Sequence, residues 1–312
     1  MKIDKIVFSA TEKYSPFWNY QSKVWNKLGV TPVLLLWGEV KNTTVDDTYG
    51  EVIEKKYSDD AIKSLQMTWS KFYHTSTEPE TTWLIGDIDL FPLQSNYFLS
   101  NLKDISNDSY AHLACRHQTR HEPPAYFDGK GSELTGGQNL PAYYHLAKGK
   151  IFDSVYKFTS TNFLEYVNTI VSQKVYGRGI PQEYMRLTPK QIASSMNSLG
   201  TNLGAKHSIE PFWCADESYS STMLWNAIIN KLVNFTGLNF SVANPNPYLW
   251  NRIDRCNWDG SDYSFVDLKR LRNNQYIDFH SVGPSESMDN IVASFDKIEH
   301  PLKQILSVAG ML

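Results

Sequence analysis

Cysteine is scarce in this 312-residue sequence. Cys115, Cys214 and Cys256 lie far apart and follow no CxxC or Cys/His spacing, which excludes a disulfide framework and a cysteine-ligated zinc site and leaves free, buried thiols. Basic charge is not in excess either. Thirty Lys and Arg stand against 33 Asp and Glu, a net charge of −3, so the footprint of a nucleic-acid binder is missing. Any anionic ligand must be held locally, by a metal, a helix N-terminus or a few cations. No apolar run reaches the ~20 residues of a membrane span. The opening MKIDKIVFSA passes from charge straight into a strand, without the apolar core and cleavage site of a secretory signal. These absences predict a soluble, cytoplasmic enzyme in which the sequons at Asn42, Asn107, Asn234 and Asn239 go unused. P-loop, GxGxxG and GxSxG motifs, internal repeats and low-complexity linkers are absent as well, so the sequence offers no place to divide residues 1–312 into separate domains.

What is present is an alternation of strands and helices. Lys5 to Ser9 is a short apolar run. Phe17, Val24, Trp25 and Leu28 follow at helical spacing between Pro16 and Gly29, the residues that favour a helix start and a helix end. Pro32 to Trp37 is continuously apolar, as a strand buried on both faces is. A short strand within Tyr49 to Tyr57, a helix over Ala61 to Tyr73 and a strand over Thr81 to Ile85 complete the rhythm. This order predicts an α/β fold, with a mostly parallel sheet between layers of helices and ligands at the carboxyl ends of its strands. From His117 to Pro141 the chain is rich in Gly, Pro, His and charge, and reads as a long functional loop. Helical periodicity returns over Ala142 to Ile151, Val155 to Val175 and Ala215 to Leu232. A strand over Gln275 to Phe279 and a helix from Met288 close the chain.

The strongest motif is WLIGDIDLFPL, residues 83–93. An apolar strand delivers two carboxylates one residue apart at its exit. On an extended strand Asp87 and Asp89 share one face and Ile88 points into the core. Two parallel carboxylates are costly to bury without compensation. A divalent ion bridging a diphosphate supplies it; so does a neighbouring lysine or helix N-terminus. A second constellation, Tyr276-Ile-Asp-Phe-His280-Ser-Val-Gly283-Pro284, places a histidine at a strand end before a glycine turn. A third, Trp213-Cys-Ala-Asp216-Glu217, puts two acids in the first turn of a helix, where the helix dipole favours them. Either acid is ionised at neutral pH and able to act as a base.

Together these segments resemble the GT-A family of nucleotide-sugar glycosyltransferases. WLIGDIDLFPL is similar to the family's hhhGDhDhhP, and FSATEKYSPFWNYQSKVWNKLG followed by VLLLW resembles its first nucleotide-binding βαβ unit. The likeness covers the first 110 residues and continues as isolated motifs, with a faint similarity to transferases that build surface glycans in microbes and large viruses. It implies a nucleotide-sugar-binding half over 1–110 and an acceptor-binding half with a metal-ligand loop over 111–312. By this resemblance Ser9, Ala10, Thr11 and Tyr14 line the nucleoside. Asp87, Ile88 and Asp89 meet the donor, Gly137 and Gly283 approach sugar and diphosphate, and Asp87, Asp89 and His280 hold Mn²⁺ or Mg²⁺. Asp216, or Glu217 beside it, is the base of an inverting transfer from a UDP-linked sugar to a glycan hydroxyl; if neither reaches the acceptor, the transfer is retaining. Softer candidates are the Gly136-Gly137-Gln138 loop, the His145 to Gly149 segment, and the cluster of Trp and Arg between Trp250 and Trp258. A nucleotidyltransferase would use similar acids but needs a basic glycine-rich loop for the triphosphate, which is missing. A carbohydrate-binding module would need no nucleotide pocket.

Overall fold

Strand β1 (Lys5–Thr11) lies between β2 (Thr31–Trp37) and β4 (Thr82–Ile85), parallel to both, and β3 (Glu51–Lys55) continues the parallel order beyond β2. On the other side of β4 come β7 (His145–Lys148), β6 (Ser109–His112) and β8 (Asn234–Gly237), giving a seven-stranded sheet of order β3-β2-β1-β4-β7-β6-β8. Within it β7 alone runs against its neighbours. A smaller sheet, β5-β10-β9, is formed by Leu90–Pro92, Asp278–His280 and Arg252–Ile253. The computed structural model describes residues 1–38, 45–114, 140–172, 215–238, 252–253, 266–281 and 291–312, with Thr188, Gln191 and Ser194 as isolated positions.

Strand alternation sorts the core into two layers. Ile6, Phe8, Leu34, Leu36 and Leu84 face α1 (Ser15–Lys27) and α8 (Ile291–Val308). Val7, Val33, Leu35, Trp37, Trp83 and Ile85 face the other way, onto α2 (Lys63–Thr75), α4 (Gly149–Tyr156), α5 (Phe163–Ser172) and α6 (Ala215–Ile229). Burial on both faces is why these strands read as continuous apolar runs. Two short helices, α3 (Ser95–Leu99) and α7 (Leu268–Arg272), flank the small sheet's connections.

The sequence misleads at one point that matters. Residues 142–151 have helical spacing, yet His145–Lys148 is a strand and the helix begins only at Gly149. Pairing on both edges, with β4 and with β6, outweighs local propensity. Gly149 is needed where it stands, because a Cβ there would fall 2.2 Å from the Thr75 carbonyl oxygen. That contact lies at the start of β4, the end of the sheet away from Asp87. Gly149 and Lys148, which is paired with Glu80, therefore do not face a donor or acceptor. The strand near the end of the chain is Asp278–His280 rather than residues 275–279.

Candidate active site

The order β3-β2-β1-β4 is that of one half of a doubly wound nucleotide-binding sheet, and the order reverses between β1 and β4. Ligands of such sheets bind outside the carboxyl ends of the strands at that reversal. The segment leaving β4 there is Gly86-Asp87-Ile88-Asp89.

That segment is a turn, not an extended strand. β4 stops at Ile85, and the Leu90 N–H donates to the Asp87 carbonyl at 3.1 Å. Ile88 is buried as the alternation requires, but the two carboxylates diverge. Four hydrogen bonds and one close packing contact hold the turn. The Gly86 N–H donates to Val7 O at 2.9 Å, and a Cβ on Gly86 would sit 2.4 Å from the fully buried Phe8 ring. Gln21, buried on α1, donates its amide to the carbonyls of Ile88 at 3.1 Å and Leu90 at 2.7 Å, and accepts from the Trp25 indole. The Ser281 N–H, just past β10, donates to the Asp89 carbonyl at 3.0 Å.

Asp87 faces α2, where Lys71 Nζ lies 2.5 Å from its Oδ1. The Lys71 side chain is only 6% exposed, so its charge is neutralised within the site. Asp89 faces β10, with its Oδ2 3.3 Å from His280 Nε2. The antiparallel register that sets His280 opposite Leu90 brings the two together. Expected as three ligands on one face, the trio is instead an Asp89–His280 pair and an Asp87–Lys71 pair. Among the described residues no group of three His, Cys, Asp or Glu side chains is close enough to hold an ion. Asp89 and His280 nevertheless suit a divalent ion as one oxygen and one nitrogen donor, and further donors would have to come from outside these two side chains.

Asp216 opens α6 and is buried. Desolvation pushes its carboxyl up to about 6; nearby Lys71 opposes the rise and Asp87 adds to it. Its Oδ1 accepts the Glu217 N–H at 2.9 Å, so it also satisfies one of the bare donors of the helix's first turn. Glu217 is half-buried beside it. Asp216, Lys71 and Asp87 thus form one charged group behind the turn.

The nucleoside candidates divide. The Ser9 hydroxyl is committed to α2, donating to Met67 O at 2.7 Å with Ser70 Oγ at 3.1 Å, and Ala10 is buried in the core. Thr11 and Tyr14 keep partly exposed side chains at the end of β1 and in the 3-10 turn Glu12–Tyr14. Gly137, with Gly136 and Gln138, lies outside the described residues, as do Gly283, Trp250 and Trp258. Arg252, in the Trp/Arg cluster, is structural: it makes a buried, two-pronged ion pair with Asp278, 2.6 Å at each contact. Lys71 and Gln21 carry no sequence signal. Each is an ordinary polar residue of an amphipathic helix, and only the packing of α1 and α2 against the turn buries it.

Beneath the site, His112 and His145 are fully buried and both hydrogen-bond to the Pro141 carbonyl, at 3.0 and 2.8 Å. A carbonyl only accepts, so each Nε2 carries the proton. Each Nδ1 then accepts, from the Ala114 N–H at 3.2 Å and from the Tyr110 hydroxyl at 2.7 Å. Both rings are satisfied as neutral imidazoles. Burial lowers His112 to about 4 and His145 well below its ordinary value. The unfolded chain takes up protons first as pH falls through 6.5, so stability is complete above that pH and declines toward 4. His112 alone is expected to withdraw about 3 kcal/mol by pH 4, with His145 adding in the same direction. Asp216, raised to about 6, shifts stability the other way over the same interval, so urea unfolding stepped from pH 7 to 4.5 is run on Asp216→Asn, where a flat profile would show that the rings are not neutral in the fold.

No family model and no curated protein matches the chain. Among solved structures it is similar to the galactosyltransferase LgtC in complex with donor and acceptor sugar analogues, at 12% identity over 99% of this chain and 96% of LgtC, with a TM-score of 0.43. An active-site mutant of LgtC aligns at 11% identity over 94% and 95% of the two chains, TM-score 0.41. The apo form of the glycosyltransferase GlyE of Streptococcus pneumoniae TIGR4 aligns at 12% identity over 98% of this chain, TM-score 0.38, and this chain spans 63% of GlyE. All three are glycosyltransferase structures. TM-scores below 0.5 at such identities are too low to transfer a fold, a family or a residue's role, so the functional reading comes from this chain's own geometry.

Proposed function

We propose that this chain is a GT-A-type, metal-dependent glycosyltransferase that moves a sugar from a nucleoside-diphosphate donor, UDP-linked by the sequence resemblance, to a hydroxyl of a glycan acceptor. One observation carries the reading. At the reversal of strand order, the turn after β4 gathers an Asp89–His280 pair and a charged group of half-exposed Asp87 with buried Lys71 and Asp216 around a single strand exit. The first pair suits a divalent ion, Mn²⁺ more than Mg²⁺ because one donor is an imidazole. Such an ion, when bound, offsets charge on the leaving diphosphate.

The second group suits proton transfer. As the acceptor oxygen bonds to the sugar's anomeric carbon and the bond to the diphosphate breaks, the hydroxyl proton must go to a base. Asp216, raised to about 6 by burial, is ionised at pH 7 yet more basic than an ordinary aspartate, which is the match general-base catalysis favours. On this reading the anomeric configuration inverts. Lys71 keeps the neighbouring negative charges of Asp87 and Asp216 from being left uncompensated away from water.

The first test is thermal. UDP at about 100 times its Kd should stabilise the protein by about 2.7 kcal/mol when Mn²⁺ or Mg²⁺ is present, and much less in excess chelator. An equal shift in both conditions refutes the metal-assisted reading.

A further inference from the structure

Tyr144 has a left-handed backbone, with φ of 62°. For a bulky aromatic residue this is a true outlier, costing on the order of 1–3 kcal/mol, and such outliers persist where surrounding structure over-determines them. Here the surroundings are specific. The Tyr144 N–H donates to the carbonyl of Ile85, the last residue of β4, at 2.6 Å, and its own carbonyl accepts the Leu113 N–H at 3.0 Å. Its ring is buried against Phe98 and Tyr143. Its hydroxyl donates to Asp278 Oδ2 at 3.1 Å.

Asp278 is fully buried on β10, two residues before His280. Arg252 on β9 neutralises it through two parallel hydrogen bonds, and Arg252 is itself braced by the Tyr143 hydroxyl at 2.8 Å and lies over that ring. The carboxylate therefore has three donors fixing both oxygens, the condition under which a buried charge is tolerated and its geometry is rigid. One residue thus ties two strands. Through its backbone Tyr144 holds the end of β4, from which the turn with Asp89 departs. Through its hydroxyl it holds β10, which carries His280.

We infer that Tyr144, through Asp278 and Arg252, is a positioning residue that sets His280 at the distance and angle from Asp89 at which the two can share a divalent ion. The inference rests on the metal-assisted reading of the Asp89–His280 pair. Tyr144 does not touch the ion or the substrate; it acts through the strand.

The test is a double-mutant cycle on Mn²⁺ affinity, read by electron paramagnetic resonance of free Mn²⁺ with the 312-residue chain and no donor. Tyr144→Phe keeps the ring and the packing and removes only the hydroxyl. It should leave the circular dichroism spectrum native and weaken Mn²⁺ binding by about 10-fold, the lower end of what outer-shell partners of a metal site confer. His280→Ala should weaken binding by at least as much. The double variant should match His280→Ala within about twofold, because residues acting through one another are not additive. Native Mn²⁺ affinity in a folded Tyr144→Phe overturns the inference, and so do losses that multiply in the double variant. Asp278→Asn, isosteric and uncharged, is the second variant: it should also weaken Mn²⁺ binding only where His280 is present. If His280→Ala itself binds Mn²⁺ like the wild type, the metal reading of the pair fails first, and this inference with it. If His280→Ala is impaired while Tyr144→Phe is not, the pair stands and only the positioning role falls.

Discussion

Asp216→Asn is expected to bind donor and metal as the wild type does and to turn over ~100- to 10,000-fold more slowly, a barrier increase of about 3–5 kcal/mol. The base acts only as the acceptor bond forms, so its loss falls on kcat and leaves ground-state binding intact. Asn is nearly isosteric and keeps an oxygen for the Glu217 N–H that Asp216 now accepts, so the helix start should survive. In the wild type, activity should also decline as pH falls through about 6, where the buried carboxyl takes its proton. Turnover kinetics beside calorimetric donor binding checks both. Full turnover in Asp216→Asn and in Glu217→Gln would remove this helix start from the chemistry.

Asp89→Asn and Asp87→Asn should fail in different ways. Asp89 meets His280 across the β5–β10 register. Replacing its carboxylate by an amide should lower Mn²⁺ affinity at least ~10- to 100-fold, by the scale known for outer-shell partners of metal ligands, while leaving the melting temperature in metal-free buffer unchanged. Asp87 instead answers Lys71, whose side chain is almost entirely buried. Asp87→Asn should therefore destabilise the fold itself. The effect should be below the ~3–5 kcal/mol of a fully buried broken pair, since Asp87 retains 34% exposure. Metal titration and urea unfolding of the two variants separate these outcomes; matching profiles would discard the division of roles.

The parallel half of the sheet was legible because its strands are buried on both faces. Residues 32–37 and 83–85 are continuous apolar runs for that reason. The pairing of His280 with Asp89, expected from a family resemblance, is realised by a register of three residues that no local pattern encodes. The divergence of Asp87 from Asp89 was not legible. It follows from the chain turning at Gly86 instead of staying extended beyond Ile85, and that turn is set by Gly86 packing on Phe8 and by Gln21 gripping it from α1. Likewise β7 was hidden because its strand state comes from neighbours on either edge, while its residues taken alone suit a helix. Long-range polar partners such as Lys71, Arg252 and Asp278 share this property: burial decides their meaning, and burial is a tertiary fact.

The order β1-β4-β7-β6-β8 also has a consequence for how the chain is made. β4 can add to β1 once residue 85 has left the ribosome, whereas its second neighbour comes from residues 145–148 and β6 waits for residues 234–237. Closing loops that long is slow relative to local helix formation, because their entropy must be lost before the contacts form. During synthesis the strand that leads into Asp87 and Asp89 therefore presents one bare, apolar edge while more than a third of the chain is still to be added, and such an edge invites pairing with another chain. Aggregation of nascent or truncated chains should accordingly begin at Thr82–Ile85, and fragments ending between β4 and β7 should be the most prone to it.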